Sequence, residues 1–279
     1  MNLVLIGSIL LSIIQYSVSL KYTLPTIKFI KKIDNFEIPV IEPEKTEPKD
    51  TYAALFLTGG NNIIPADIYN NFLNTLASHR FSINLIPGNF NSYDKLFTQL
   101  KKEYKGLIIL QHSSSTILSI NLSKMESSIK SLVFIDPVDN RIFFEEYRKL
   151  NNKIDLFSVK KILFLKAAKS YHWRLNPPTV PFIPFLSLKP SSFNLNRKCK
   201  VTTIEAINFG HTDILDKSFS NFMHNSRISV GTNDRNSTLL MSYHKWLSNV
   251  IHYFCYHNDI ESCSNKFKDE DIQFSIKNE

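Results

Sequence analysis

Three side chains in this sequence are of the types that together transfer an acyl group: Ser113, Asp136 and His211. Each stands just after an apolar run. Leu107-Ile108-Ile109-Leu110 leads into Gln111-His112-Ser113-Ser114-Ser115, Leu132-Val133-Phe134-Ile135 into Asp136-Pro137-Val138-Asp139, and Val201 to Ile207 into Asn208-Phe209-Gly210-His211. A serine hydroxyl is a weak nucleophile until an imidazole takes its proton. The imidazole in turn needs a carboxylate to fix its tautomer and balance its charge. Two backbone N–H groups must meet the developing oxyanion, and glycines allow the close approach this requires. Thr58-Gly59-Gly60, after the apolar run Ala53 to Leu57, offers such glycines.

A strand that turns sharply into a helix with serine at the corner is a nucleophile elbow, written Gly-x-Ser-x-Gly because strand and helix crowd there. Here Gln111 and Ser115 replace the two glycines. The register still favours Ser113. Ser114 would be flanked by His112 and Thr116, and Ser115 by Ser113 and Ile117, which crowd the corner more. Gln111 is the misfit, a bulky residue where the motif wants none.

The elements that must position these residues alternate. Short apolar runs at 53–57, 81–86, 107–110, 131–135, 161–166 and 201–207 predict strands, the last of them closing the set. Helical spacing predicts helices over 66–79, 96–104, from Thr116 onward and over 238–253. Continuous apolar strands alternating with helices predict a parallel sheet covered on both faces, with functional groups at the strands' carboxyl ends. Residues 51–258 form the expected domain. Ahead of it, 21–50 reads as an extended, proline-rich lead-in with an edge strand at Phe36 to Ile41, and 259–279 reads as a polar tail. A proline-rich stretch, 171–198, predicts a long loop or lid; its Phe182, Ile183, Phe185 and Leu186 suit a lipophilic mouth or lid packing equally.

Composition narrows the class. Hydrophobic content of 43% with 21% charged residues is that of a folded globular chain. The net charge of +8 is spread over scattered lysines without a basic run or a nucleic-acid signature, so no nucleic-acid partner is expected, while the basic surface admits membrane-surface association. Residues 1–20 carry no charge after the initiator Met1 and end in Ser17-Val18-Ser19, as in a cleaved signal peptide or an amino-terminal anchor. The expected destination is the secretory pathway, for secretion or delivery to an organelle such as a plastid. Of three cysteines, Cys255 and Cys263 are near enough in sequence to pair, and all three being free fits equally. No metal-ligand spacing and no dinucleotide or P-loop fingerprint occurs, so no metal or cofactor is expected.

The segments Leu57-Thr58-Gly59-Gly60, Ala77-Ser78-His79-Arg80-Phe81, His112-Ser113, Ile135-Asp136-Pro137-Val138-Asp139 and Gly210-His211-Thr212-Asp213-Ile214-Leu215-Asp216 resemble the chlorophyllases and their relatives among the α/β-hydrolases. The likeness runs in order over about residues 50 to 255. It implies an α/β-hydrolase fold and a serine esterase acting on an apolar carboxylic ester, with Ser113 as nucleophile, Asp136 as acid, His211 as base, and the N–H groups of Gly60 and Ser114 as oxyanion hole. Many hydrolases of this fold place the acid one strand later. No carboxylate occurs between Leu156 and Glu205, which favours Asp136, with Asp139 as substitute. Asp213 and Asp216 read as caps of the turn or helix after the histidine. Thr58 stands where the family carries histidine. That difference and the missing elbow glycines motivate a rival reading, a catalytically inactive protein of the same fold that binds a lipid or protein partner.

Overall fold

The apolar runs become one nine-stranded sheet in the computed structural model, which describes residues 25–139, 154–172, 188–225, 231–232, 237–257 and 260–278. Its strands are β1 (Thr26–Ile33), β2 (Phe36–Pro43), β3 (Tyr52–Leu57), β4 (Phe81–Leu85), β5 (Gly106–His112), β6 (Ile129–Ile135), β8 (Lys161–Ala167), β10 (Lys200–Ala206) and β11 (Phe274–Asn278), in the spatial order β1-β2-β4-β3-β5-β6-β8-β10-β11. A separate short pair joins β7 (Ile154–Leu156) to β9 (Phe193–Leu195). From β4 to β10 all neighbours are parallel; β1, β2 and β11 add antiparallel strands at the two edges.

The helices are α1 (Gly59–Asn62), α2 (Asn70–Ala77), α3 (Tyr93–Glu103), α4 (Thr116–Met125), α5 (Lys217–Asn225) and α6 (Ser237–Tyr256). Strand side chains point alternately to opposite faces, and two apolar clusters result. On one face Ala54, Phe56, Ile108 and Leu110 pack with Phe72, Leu73 and Leu76 of α2 and with Trp246, Leu247 and Val250 of α6. On the other, Ala53, Leu55, Leu107 and Ile109 pack with Leu96, Phe97 and Leu100 of α3 and with Ile120 and Leu122 of α4. A fully buried Leu, Ile or Phe is worth about 1.5–3 kcal/mol relative to exposure, so the central strands, buried on both faces, anchor the molecule. The chain is therefore an α/β protein with a large, mostly parallel central sheet and helices on both faces.

Two expectations need correction. The lead-in is a full hairpin, because β1 joins the strand expected near Phe36. The strand over 201–207 is not the last, since residues 274–278 of the expected polar tail pair with it as β11. All three cysteines are free thiols; Cys255 and Cys263 are buried without pairing. Residues 1–20 and the four apolar residues of the proline-rich stretch lie outside the described residues. No helix among those described is long and apolar enough to cross a membrane.

Candidate active site

The carboxyl ends of β3, β5, β6 and β10 bring the predicted residues to one place. Leaving β5, the chain enters the left-handed region at Ser113, with φ of 58°, a conformation that costs a non-glycine residue energy and recurs at functional corners. The turn is held on both sides: Ser113 N–H donates to the Ile135 carbonyl at 3.1 Å, and its carbonyl accepts from Val138 N–H at 2.8 Å. Two residues on, Ser115 opens α4, fully buried, and its hydroxyl donates to the Thr58 carbonyl. Where the elbow motif has glycine, this small hydroxyl ties the corner to the glycine turn after β3.

Ser113 meets the histidine. His211 Nε2 lies 2.9 Å from Ser113 Oγ, and His211 Nδ1 lies 2.5 Å from Asp136 Oδ2. Asp136 has φ of 42° and its N–H is bound by the Leu165 carbonyl at 2.6 Å, so its backbone too is bent to reach the site. Its carboxylate accepts the Ser170 hydroxyl at 2.5 Å and the Ala167 N–H at 3.2 Å. Burial pushes this carboxyl upward, but the hydrogen bond and electrostatic pull of the adjacent His211 ring, with the hydrogen bonds from Ser170 and Ala167, outweigh it, and the group is held below the usual carboxylate range. The carboxylate bound to His211 Nδ1 is that of Asp136.

The glycine turn lies against the serine. A methyl group built on Gly59 would stand 3.3 Å from Ser113 Cβ, 3.1 Å from Ile64 Cδ1 and 3.2 Å from the Tyr69 hydroxyl. Gly60, with φ of 62°, follows in α1, and Ser114 follows Ser113 in the elbow turn. Asn62 organises this turn. Its Oδ1 accepts from Thr58 N–H at 2.9 Å, its Nδ2 donates to the Ile86 carbonyl at 2.8 Å, and its own φ is 65°. Gly88 completes the support, since a Cβ there would come within 2.9 Å of the Asn62 carbonyl oxygen.

The sequence pattern did not single out Ser170, Asn62 or Tyr69, and it gave the buried His112 only as part of the pair His112-Ser113. A signal existed for Ser170, which follows β8, the strand after which many hydrolases place their acid. Asp213 holds the histidine turn, as expected: its Oδ2 accepts from Gly210 N–H at 2.9 Å and Thr232 N–H at 2.8 Å. Asp216 binds Asn71 N–H at 2.9 Å instead, capping the start of α2. Gln111 is accommodated. It is fully buried on the face shared by Leu107, Ile109 and α4, and among the described residues neither of its amide atoms has a hydrogen-bond partner.

The chain matches no family model and no curated protein. Among the described residues no group of three or more His, Cys, Asp or Glu side chains is arranged to hold a metal ion. The arrangement is chemically specific without either. An imidazole placed between a carboxylate and a serine hydroxyl can draw the hydroxyl proton onto Nε2 while its Nδ1–H stays bound.

Proposed function

We propose that this protein is a serine esterase of α/β-hydrolase type, similar to the chlorophyllases, acting on an apolar carboxylic ester. The observation that carries this reading is His211 bridging Ser113 Oγ at 2.9 Å and Asp136 Oδ2 at 2.5 Å, on a serine held in the left-handed conformation of an elbow. The strand order, with parallel strands β4-β3-β5-β6-β8-β10 and the three residues at the ends of β5, β6 and β10, is compatible with that fold.

In this reaction Ser113 Oγ attacks the ester carbonyl carbon as its proton passes to His211 Nε2. Asp136 keeps the imidazole in the Nδ1–H tautomer and balances the imidazolium. The carbonyl electron pair moves onto oxygen, which the N–H groups of Gly60 and Ser114 receive. When the tetrahedral centre collapses, the alcohol leaves with the proton from Nε2. Water then attacks the acyl-serine by the same route, with His211 as base, and frees the carboxylic acid. Apolar substrate preference is supported by the family resemblance and by Ile63 and Ile64 beside the glycine turn. Ile63 is 80% exposed, and Ile64 packs on Gly59 and Gly60.

Fluorophosphonate labelling tests this reading. Labelling of the folded protein that disappears in Ser113→Ala, together with hydrolysis of p-nitrophenyl butyrate, is the expected result. A folded sample that takes no label and hydrolyses no ester would sink it and leave a protein that binds rather than cleaves.

A further inference from the structure

We infer that Tyr69 and His112 form a buried hydrogen-bonded line that holds the glycine turn and the histidine turn in register with each other, making both positioning residues for the esterase reaction. The inference rests on the serine-esterase reading above.

The line runs through four groups. Gly59 N–H lies 3.1 Å from the Tyr69 hydroxyl, that hydroxyl lies 2.9 Å from His112 Nδ1, and His112 Nε2 lies 3.1 Å from the His211 carbonyl oxygen. Chemistry fixes the direction of each bond. A carbonyl can only accept, so Nε2 carries the hydrogen. Burial, reinforced by the nearby His211, pushes His112 down to about 3, so the ring is neutral and its Nδ1 is an acceptor. The Tyr69 O–H therefore donates to Nδ1, and the Tyr69 oxygen accepts from Gly59. Every donor and acceptor in the line is used in the only sense that satisfies its neighbours. Both side chains are essentially inaccessible, at 0% and 2% exposure, so water cannot substitute for a lost member.

The two turns follow β3 and β10, which are separated in the sheet by β5, β6 and β8. No strand pairing sets their spacing directly. His112, the last residue of β5, spans the gap beneath Ser113, and its ring also stacks on that of His211 with centroids 4.7 Å apart and planes 30° apart. Acyl transfer needs the base and the oxyanion donors placed to a fraction of an ångström, and this line references one to the other. It also occupies the Gly59 N–H, leaving the stabilising role to Gly60.

Tyr69→Phe deletes the hydroxyl without changing the ring. Leu100→Ala, buried on the opposite face of the sheet, measures what loss of stability alone does. Expected for Tyr69→Phe is a fall in kcat for p-nitrophenyl butyrate of about tenfold to a hundredfold with KM within twofold, whereas Leu100→Ala lowers the unfolding temperature and keeps kcat. His112→Gln, which retains an N–H toward the His211 carbonyl, should exceed His112→Leu by at least tenfold in kcat. Amide hydrogen exchange gives a readout independent of activity: Tyr69→Phe should speed exchange both at residues 58–60 and at residues 210–213. Unchanged kcat in Tyr69→Phe, or faster exchange confined to the glycine turn, would overturn the inference. A wild-type protein that neither labels at Ser113 nor hydrolyses ester would instead refute the esterase reading, and the exchange experiment would still decide whether the line couples the two turns.

Discussion

Gln111→Met should make this protein more stable while leaving its site intact. Gln111, near the end of β5, is fully buried, and both amide atoms lack partners among the described residues. An unsatisfied buried polar group costs about 1–3 kcal/mol. Methionine keeps nearly the same length and volume, so the repacking penalty stays below about 1.5 kcal/mol. The net expectation is stabilisation of about 1–2 kcal/mol, or several degrees in unfolding temperature at about 2–4 °C per kcal/mol for a chain of this size. Because the amide makes no hydrogen bond to Ser113, Asp136 or His211, ester hydrolysis should stay within about threefold of wild type. Gln111→Glu is the opposite probe, since an isolated buried carboxylate must either be neutralised or destabilise the fold by several kcal/mol. Urea unfolding of the three proteins at pH 7.5 decides the matter. A Met variant no more stable than wild type, or a Glu variant as stable as Gln, would mean that the amide is hydrogen-bonded after all.

Acid should destabilise the fold well before carboxylates titrate. Burial pushes His112 down to about 3 and His244 and His252 down to about 4, whereas an unfolded histidine titrates near ~6.5. A depressed folded pKa gives stability that is present above the unfolded value and is lost as pH falls toward the folded one. Three protons taken up on unfolding give a slope of about 4 kcal/mol per pH unit between about pH 6 and 4.5, and equal urea midpoints at pH 7.5 and 5.0 would refute it. Ser170→Ala removes a hydrogen bond to a carboxylate, worth about 1.5–3 kcal/mol. A kcat at least tenfold lower with KM little changed is expected, and an unaltered kcat would deny Ser170 any hold on Asp136. All three cysteines should react with a thiol reagent in urea without reductant, while Cys199 and Cys255, pushed up by burial to about 11 and about 12, stay slow in the native protein. Fewer than three reactive thiols in urea would reveal a disulfide.

The parallel strands were legible because burial on both faces writes a continuous apolar run, as in Leu107 to Leu110. The outermost strands, β1 and β11, were not. β1 reads Thr-Ile-Lys-Phe-Ile-Lys-Lys-Ile and is mostly exposed, and β11 is a short, half-buried Phe-Ser-Ile-Lys-Asn, so neither carries the pattern of a buried strand. Ser113, Asp136 and His211 could be placed because each follows a readable strand. The residues that hold them could not. Asn62, Ser170 and Tyr69 act through hydrogen bonds to partners distant in sequence or to backbone atoms, and a lone Asn, Ser or Tyr in a loop has no local signature of such a role. Gln111, which looked incompatible with the corner, shows why a motif position is a packing statement: the fold leaves room for the side chain but, among the described residues, no partner for its polar end.

The contact between His211 and Ser113 spans 98 residues of chain, and β6 and β8 lie between β5 and β10 in the sheet. During synthesis the serine therefore emerges long before its base exists. Until β10 docks, Ser113 is an ordinary hydroxyl with no imidazole to take its proton and little power to attack an ester. Late, long-range assembly of this kind slows folding, and here it delays reactivity until the sheet that controls it is in place.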